Sequence, residues 1–268
     1  MAKRRRGIYL LPNLLTTAAL FSGYYSIVAS MNSNFEAAAI AIFVAMVLDG
    51  MDGRIARMTN TASEFGEQYD SLSDMVSFGL APALIMYQWS LFEMGKLGWL
   101  AAFVYSTAAA LRLARFNTQA ASIGKRYFQG LPSPAAAALL AGIIWLAQSY
   151  GLDGGVTMTL ITFPLTVLAG ILMVSNIRFY SFKDFDMRGK IPFIAVIPVM
   201  LVFVFIASEP PLILFGLALI YAIHGPVLTL VFIQKRRAER KRAMQAEEVE
   251  QQVEDTTIID VDDETKHE

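Results

Sequence analysis

The sequence predicts an all-α, polytopic membrane protein, a bundle of about eight transmembrane helices. Hydrophobic residues make up 55% of the chain and charged residues only 17%, whereas soluble domains carry about 25% charged residues. Eight apolar stretches approach or exceed the roughly 20 residues that cross a bilayer core. The stretches are 10–30, 35–56, 68–90, 97–117, 132–150, 156–177, 191–207 and 211–233.

The distribution of basic residues orients these stretches. Of the 22 Lys and Arg residues, all except Lys96 fall on one side of the eight-span map, and an excess of this kind marks the cytoplasmic side. We therefore expect both termini in the cytoplasm and the protein in the cytoplasmic (inner) membrane. A cleaved signal peptide also begins with basic residues before an apolar run, but the first stretch is long for a leader and carries Pro12 and Asn13 at its mouth.

The domain prediction is a transmembrane catalytic domain at 1–234 and a cytoplasmic tail at 235–268. The tail is basic at 235–242, then acidic, and lacks apolar periodicity, which is typical of disorder. Its basic run suits anionic lipid headgroups. We therefore expect membrane lipids, and no nucleic acid, as its partners.

The composition also limits the metals that the protein can bind. The chain has no cysteine and two histidines, which excludes thiolate sites and sites built on several imidazoles. Any metal must be held by oxygen ligands, which favours Mg²⁺, Mn²⁺ or Ca²⁺.

Acidic and small residues alternate where the second stretch ends, in VLDGMDGRIARM. At 3.6 residues per turn, Asp49, Asp52 and Gly53 share one helix face. Ala56 lies on the same face and Arg57 at its edge. The small residues would let a nucleotide approach the backbone, and the guanidinium could meet a phosphate.

The third stretch begins with EFGEQYDSLSDMVSFG, in which Gly66, Asp70 and Asp74 recur every fourth residue and form an opposing stripe. Residues 61–64, Thr-Ala-Ser-Glu, fit a capping box that starts this helix. Clustered carboxylates near a membrane repel one another and need cations. The spacing therefore predicts bound Mg²⁺ or Mn²⁺, in two copies, of the kind that clamps phosphate oxygens.

Two other interpretations of these acids exist. Single aspartates at helix ends are commonly solvated or capping residues. A cation transporter also uses intramembrane acids, but it places them near the bilayer midplane. All four aspartates lie within about two helical turns of the predicted cytoplasmic boundary, which favours an enzyme with cytosolic substrates.

The pattern D-x2-D-G-x2-A-R-x8-G-x3-D-x3-D at 49–74 resembles the signature of CDP-alcohol phosphatidyltransferases. The resemblance implies the helical core of that family, two divalent ions, transfer from a CDP-linked donor to a hydroxyl, and release of CMP. It further implies Asp49, Asp52 and Asp70 as metal ligands, and Asp74 as a ligand and the catalytic base. The implied contacts to CDP-diacylglycerol are Gly53, Ala56, Arg57 and Ser63, with Pro12, Asn13 and Thr16 of the similar LPNLLT segment. Pro12 and Asn13 could instead simply start and cap a helix.

Three further segments resemble the integral-membrane phosphatidylserine synthases within that family: SFGLAPA, ALRLARFN and FQGLPSPAAA. This resemblance implies L-serine as the acceptor, and the family resemblance implies a homodimer. Glycerol 3-phosphate, inositol phosphate or choline are alternative acceptors. Arg112 or Arg115, with Asn117 nearby, would bind the serine carboxylate or the donor diphosphate, unless the two arginines only anchor the helix end.

The predicted topology can be tested because the chain contains no cysteine. Single cysteines introduced near residues 60 and 185 should react only with a thiol reagent that has entered the cytoplasm, since the charge bias places both loops there. A cysteine near residue 153 should be labelled from outside. Labelling of position 60 from outside would overturn the eight-span map.

Overall fold

A computed structural model describes residues 10–59, 61, 63–119, 127–180, 196–232, 234, 236–237 and 240. The chain divides into two compact units, Met1–Gly225 and Pro226–Glu268. Most of the predicted tail lies outside the described residues, so its predicted disorder, and a catalytic domain ending at 234, stay predictions.

The prediction of an all-α fold is confirmed. The described residues form helices, joined at one point by a short two-stranded antiparallel ribbon. The helices are α1 (Leu10–Met31), α2 (Phe35–Thr59), α3 (Glu64–Asp74), a π-helical segment (Met75–Leu80), α4 (Ala81–Trp89), a 3₁₀ turn (Leu91–Met94), α5 (Lys96–Gln119), α6 (Ser133–Ser149), α7 (Val156–Val174), α8 (Val196–Ser208) and α9 (Pro210–Phe232); the strands are β1 (Tyr127–Gln129) and β2 (Arg178–Tyr180).

Several of these helices have the length and composition of membrane spans. Among the described residues, four helices are long and apolar enough to cross a bilayer, and α6 is apolar but has only 17 residues. The protein is therefore a polytopic helical membrane protein, while the count of eight spans stays a prediction. The four helices are Leu11–Met31, Lys96–Thr118, Val156–Val174 and Pro210–Phe232.

The capping box predicted at 61–64 is wrong. Ser63 caps α3, because its hydroxyl accepts the backbone N–H of Gly66 at 3.1 Å, the usual bond from an N-cap to the third helical residue. Thr61 is buried, and its hydroxyl lies 2.7 Å from that of Thr59. Helix α3 thus begins at Glu64, and Ser63 has a structural role in addition to any contact with substrate.

The chain continues from α3 through the π-helical segment into α4. At its end the N–H of Ala81 bonds to the carbonyl of Val76, five residues earlier. In a regular α-helix the carbonyl of Phe78 would accept a hydrogen bond from the backbone N–H of residue 82, but this residue is Pro82, which has no N–H. The hydroxyl of Tyr105 on α5 donates to that carbonyl instead, at 3.0 Å. Helix α5 is therefore tied to the turn that directly follows Asp74.

Helix α1 crosses the same region at close range. The hydroxyl of Ser73 donates to the carbonyl of Thr16 at 3.2 Å, and the hydroxyl of Ser77 donates to the carbonyl of Ala19 at 3.1 Å. A Cβ at Gly23 would lie 2.7 Å from the Cα of Ser77, so only glycine permits this approach. The contact brings the start of α1 to the carboxylates.

The β1–β2 ribbon joins the start of α6 to the end of α7. Beyond the paired strands, the N–H of Gly130 bonds to the carbonyl of Ile177, and the N–H of Leu131 to that of Leu172, both at 2.9 Å. Gly130 has φ +80°, and a Cβ there would lie 2.1 Å from the carbonyl oxygen of Met173. Glycine is required on both counts, and the ribbon fixes where α6 begins.

Candidate active site

Three aspartates converge between α2 and α3. One carboxylate oxygen from each of Asp49, Asp70 and Asp74 lies within 4.8 Å of the other two. The four-residue spacing of the latter pair places both on one face of α3, opposite the C-terminal part of α2. All three side chains are partly buried, so water screens their mutual repulsion only weakly.

This arrangement fits a divalent cation. Oδ1 of Asp70 is buried and has no hydrogen-bond partner, although buried acceptors are normally satisfied. The ligand atoms are all carboxylate oxygens, the type that Mg²⁺, Mn²⁺ and Ca²⁺ prefer. Asp49, Asp70 and Asp74 are therefore able to hold a metal ion.

Asp52 lies next to these three and faces α1. It is 4% exposed, and its Oδ2 lies 2.7 Å from the hydroxyl of Thr16. That hydroxyl is also 3.1 Å from the carbonyl of Pro12, one turn earlier. The Asp52–Thr16 contact is a direct link between the LPNLLT segment and the signature. The sequence predicts both residues as part of the site, but it does not predict their contact, because the contact joins two different helices.

The small residues of α2 form a shallow, partly exposed surface beside the carboxylates. A Cβ at Gly53 would lie 3.7 Å from a terminal nitrogen of Arg57, so this guanidinium lies over the glycine. Arg57 is exposed and attracted to Asp52, and Ala56 is partly exposed on the same helix.

The start of α3 lies against the start of α1. A Cβ at Gly66 would lie 3.2 Å from the hydroxyl oxygen of Ser63 and 3.5 Å from the side-chain oxygen of Asn13. Asn13 and Ser63 thus meet at Gly66, and Pro12 is buried in the first described turn of α1. The structure brings all seven predicted donor contacts to the α1, α2 and α3 side of the carboxylates.

Arg112 lies on α5, outside the α1, α2 and α3 helices that carry the residues described so far. Its guanidinium donates to the hydroxyl of Ser133 at 2.7 Å, and it is attracted to Asp74. Its Nε is buried without a hydrogen-bond partner. A buried guanidinium nitrogen without a hydrogen-bond partner is costly unless an acceptor joins it.

Arg115, one turn further along α5, has a different environment. It donates to the carbonyl of Val174 at 3.0 Å and to the side-chain oxygen of Asn176 at 3.4 Å. A cation at the C-terminus of a helix satisfies its last carbonyls and its dipole. Arg115 therefore caps α7. The sequence alone does not distinguish its role from that of Arg112.

Asn117 pairs with Ser71, since the amide nitrogen lies 3.0 Å and the amide oxygen 3.2 Å from the serine hydroxyl. The pair joins the end of α5 to α3 beside Asp70, and Asn117 is exposed there.

Sequence reasoning missed two neighbours of Arg112. Ser133 is fully buried. It belongs to the FQGLPSPAAA segment, which resembles a segment of the phosphatidylserine synthases but assigns no role to this serine. Tyr221 of α9 interacts electrostatically with Arg112 and belongs to no motif. A serine between two prolines at a helix start was a usable signal, whereas nothing in the sequence distinguished this tyrosine.

Comparison with known proteins agrees with this geometry. Residues 9–179 match the model of the family described as CDP-alcohol phosphatidyltransferase. Proteins named CDP-diacylglycerol–serine O-phosphatidyltransferase are similar over most of the chain. The one from Helicobacter pylori (strain 26695) is 39% identical over 81% of this chain and 90% of its own length. That of Methanocaldococcus jannaschii is 38% identical over 69% of this chain and 80% of its own length. That of Bacillus subtilis is 32% identical over 65% of this chain and 91% of its own length. With its paired aspartate stripes and this match over more than half its length, the chain belongs to the CDP-alcohol phosphatidyltransferase family.

Proposed function

We propose that this enzyme transfers the phosphatidyl group of CDP-diacylglycerol to the hydroxyl of L-serine, which gives phosphatidylserine and CMP. The observation that carries the proposal is an arginine, Arg112, whose buried Nε has no hydrogen-bond partner and which is attracted to Asp74 of the three-carboxylate cluster. The names of the relatives, which are similar over most of their own length, support the same acceptor.

The donor lipid binds with its acyl chains in the bilayer and its CDP head at the carboxylates. Asp49, Asp52, Asp70 and Asp74 would hold two divalent ions, Mg²⁺ or Mn²⁺. Bound there, the ions would offset the negative charge of the diphosphate. On the α2 side, Gly53 and Ala56 leave room for the nucleotide, and the exposed Arg57 meets its phosphates. The remaining donor contacts are Pro12, Asn13, Thr16 and Ser63.

The chemical step is an in-line displacement at phosphorus. Asp74 accepts the proton of the serine hydroxyl, and the serine oxygen forms a bond to the phosphorus that carries diacylglycerol. The bond from that phosphorus to the bridging oxygen breaks, and the oxygen leaves on CMP. Asp74 suits the role of base because it is the carboxylate of the cluster that is attracted to Arg112, the group expected to hold the acceptor.

The acceptor is bound on the α5 side. A guanidinium binds a carboxylate through two parallel hydrogen bonds, and Nε of Arg112 is an unused donor for such a pair. Arg115 is occupied by the end of α7, so we assign the serine carboxylate to Arg112, with Asn117 at the entrance. We propose that this site faces the cytoplasm, because the basic residues of the loops are concentrated on its side of the predicted eight-span map. We also propose that the enzyme is a homodimer.

The acceptor can be identified with purified enzyme in mixed micelles of CDP-diacylglycerol. CMP release is measured with L-serine, glycerol 3-phosphate, inositol phosphate or choline as the acceptor. We expect serine to support release, and choline, which has no anionic group for Arg112, to fail. Release with glycerol 3-phosphate but not serine would refute the acceptor assignment and leave the transferase chemistry intact.

The carboxylate cluster should be required for turnover. Asp49→Asn, Asp52→Asn, Asp70→Asn and Asp74→Asn should each lower CMP release by more than about 100-fold, since each removes an anionic ligand that no nitrogen or sulfur ligand can replace. A chelator should stop the wild type, and Mg²⁺ or Mn²⁺ should restore it. The control is Asp153→Asn in the exposed loop before α7, which should remain active. Normal turnover in any of the four variants would show that its carboxylate is not a required ligand.

The two arginines of α5 should separate kinetically. Arg112→Lys keeps the charge and loses the bidentate geometry, so the KM for serine should rise about tenfold, equivalent to about 1.4 kcal/mol, with a smaller effect on the KM for CDP-diacylglycerol. Arg115→Lys should lower the thermal unfolding temperature with little change in either KM. Equal serine KM values in wild type and Arg112→Lys would show that Arg112 does not bind the acceptor and only anchors the helix end at the membrane surface.

A further inference from the structure

Ser133, the first residue of α6, lies against the guanidinium of Arg112. Its Oγ accepts a hydrogen bond from Nη1 at 2.7 Å, and the serine is fully buried. A hydrogen bond from a charged donor is among the stronger side-chain bonds in a protein. This serine therefore restricts how the guanidinium can turn.

The backbone that carries Ser133 is stiff. Pro132 and Pro134 flank the serine, and each proline ring fixes its own φ. Directly before them, the N–H of the fully buried Leu131 bonds to the carbonyl of Leu172 in α7 at 2.9 Å. The hydroxyl is therefore attached to a segment that is anchored on α7.

Stabilisation of helix ends does not account for this contact. Arg115 bonds at the C-terminus of α7, where the helix dipole attracts a cation. Arg112 bonds instead at the N-terminus of α6, where the helix dipole repels a cation. An anion bound to Arg112 would offset that repulsion.

The bond to Ser133 also favours one edge of the guanidinium for such an anion. A guanidinium can bind a carboxylate through Nη1 and Nη2, or through Nε and Nη2. Ser133 occupies Nη1 of Arg112, and the buried Nε has no hydrogen-bond partner among the described residues. The Nε–Nη2 edge is therefore the one that suits a carboxylate.

We propose that Ser133 is a positioning residue for the acceptor: its hydroxyl holds Nη1 of Arg112 and so directs the Nε–Nη2 edge to the serine carboxylate. The proposal rests on the proposed function, which assigns that carboxylate to Arg112. A guanidinium on a flexible stem loses rotational freedom when it binds in a bidentate manner. Ser133 removes part of that freedom before the acceptor arrives, so it lowers the KM for serine without entering the chemical step.

The test is Ser133→Ala in the full-length enzyme, with CMP release measured in mixed micelles of CDP-diacylglycerol. Because the variant removes the oxygen that holds Nη1, we expect the serine KM to rise about 5- to 10-fold, the scale of a lost hydrogen bond to a charged group. The kcat and the KM for CDP-diacylglycerol should stay within about twofold of wild type. A merely structural role would lower the unfolding temperature or kcat without a selective rise in the serine KM.

A second variant, Ser133→Cys, decides the matter if Ser133→Ala does not fold. The thiol is close in size to the hydroxyl and is a weak acceptor, so this variant should also raise the serine KM selectively. The matched control is Ser149→Ala at the other, exposed end of α6, where the hydroxyl donates to the carbonyl of Trp145 of the same helix. It should leave both KM values unchanged.

Coupling to Arg112 completes the experiment. In an Arg112→Lys background, Ser133→Ala should raise the serine KM less than about twofold, because the hydroxyl acts through the guanidinium and coupled residues are not additive. Full additivity with Arg112→Lys overturns the inference. So does an unchanged serine KM in Ser133→Ala or, if that variant unfolds, in Ser133→Cys. If wild-type enzyme releases no CMP with serine, or if Arg112→Lys alone leaves the serine KM unchanged, it is the proposed function that fails.

Discussion

The structure depends on the repulsion between carboxylates held close together beside a membrane. Asp49, Asp70 and Asp74 lie within a few ångströms of one another and are partly buried, an arrangement that costs free energy unless a cation binds or a carboxyl group is protonated. A divalent ion bound there would convert that repulsion into attraction to a common centre. The helix packing around the cluster must therefore hold α2 and α3 together before the ion binds, or binding would have to supply the full cost of assembly.

Side-chain hydrogen bonds supply that packing through α1, which is bonded to α2 by the Thr16–Asp52 contact and to α3 by Ser73. Ser73 and Ser77 bond to the backbone of α1, and Tyr105 bonds to the carbonyl that Pro82 leaves without a donor. In an apolar environment such bonds have few competitors, so they fix the rotation of each helix as well as its distance. The aspartate stripe of α3 and the turn after it are thus held on two sides, by α1 and by α5.

The sequence predicted the part of the site that helix periodicity determines. Residues three and four apart on one helix share a face, so the Asp49–Asp52 and Asp70–Asp74 stripes followed from spacing alone. The different environments of Arg112 and Arg115 did not, since one bonds to Ser133 and the other to the end of α7, and those partners lie 21 and 59 residues away in the chain. The N-cap was misplaced for a related reason: Thr61 and Ser63 are both good caps, and the path of the loop decides between them.

The two sides of the cluster are built from different parts of the chain, and this accounts for the uneven sequence signal. The donor side that we propose uses α1, α2 and α3, where a nucleotide diphosphate common to a whole family would require fixed residue types at fixed spacings. The acceptor side that we propose uses α5 and the start of α6, where the Arg112 guanidinium donates to the hydroxyl of Ser133. A small acceptor needs few contacts, and these can come from any helix that reaches the guanidinium. Specificity among acceptor alcohols would therefore be set by side chains from separate helices, such as Arg112 and Ser133, and their pairing becomes visible only when the helices are assembled.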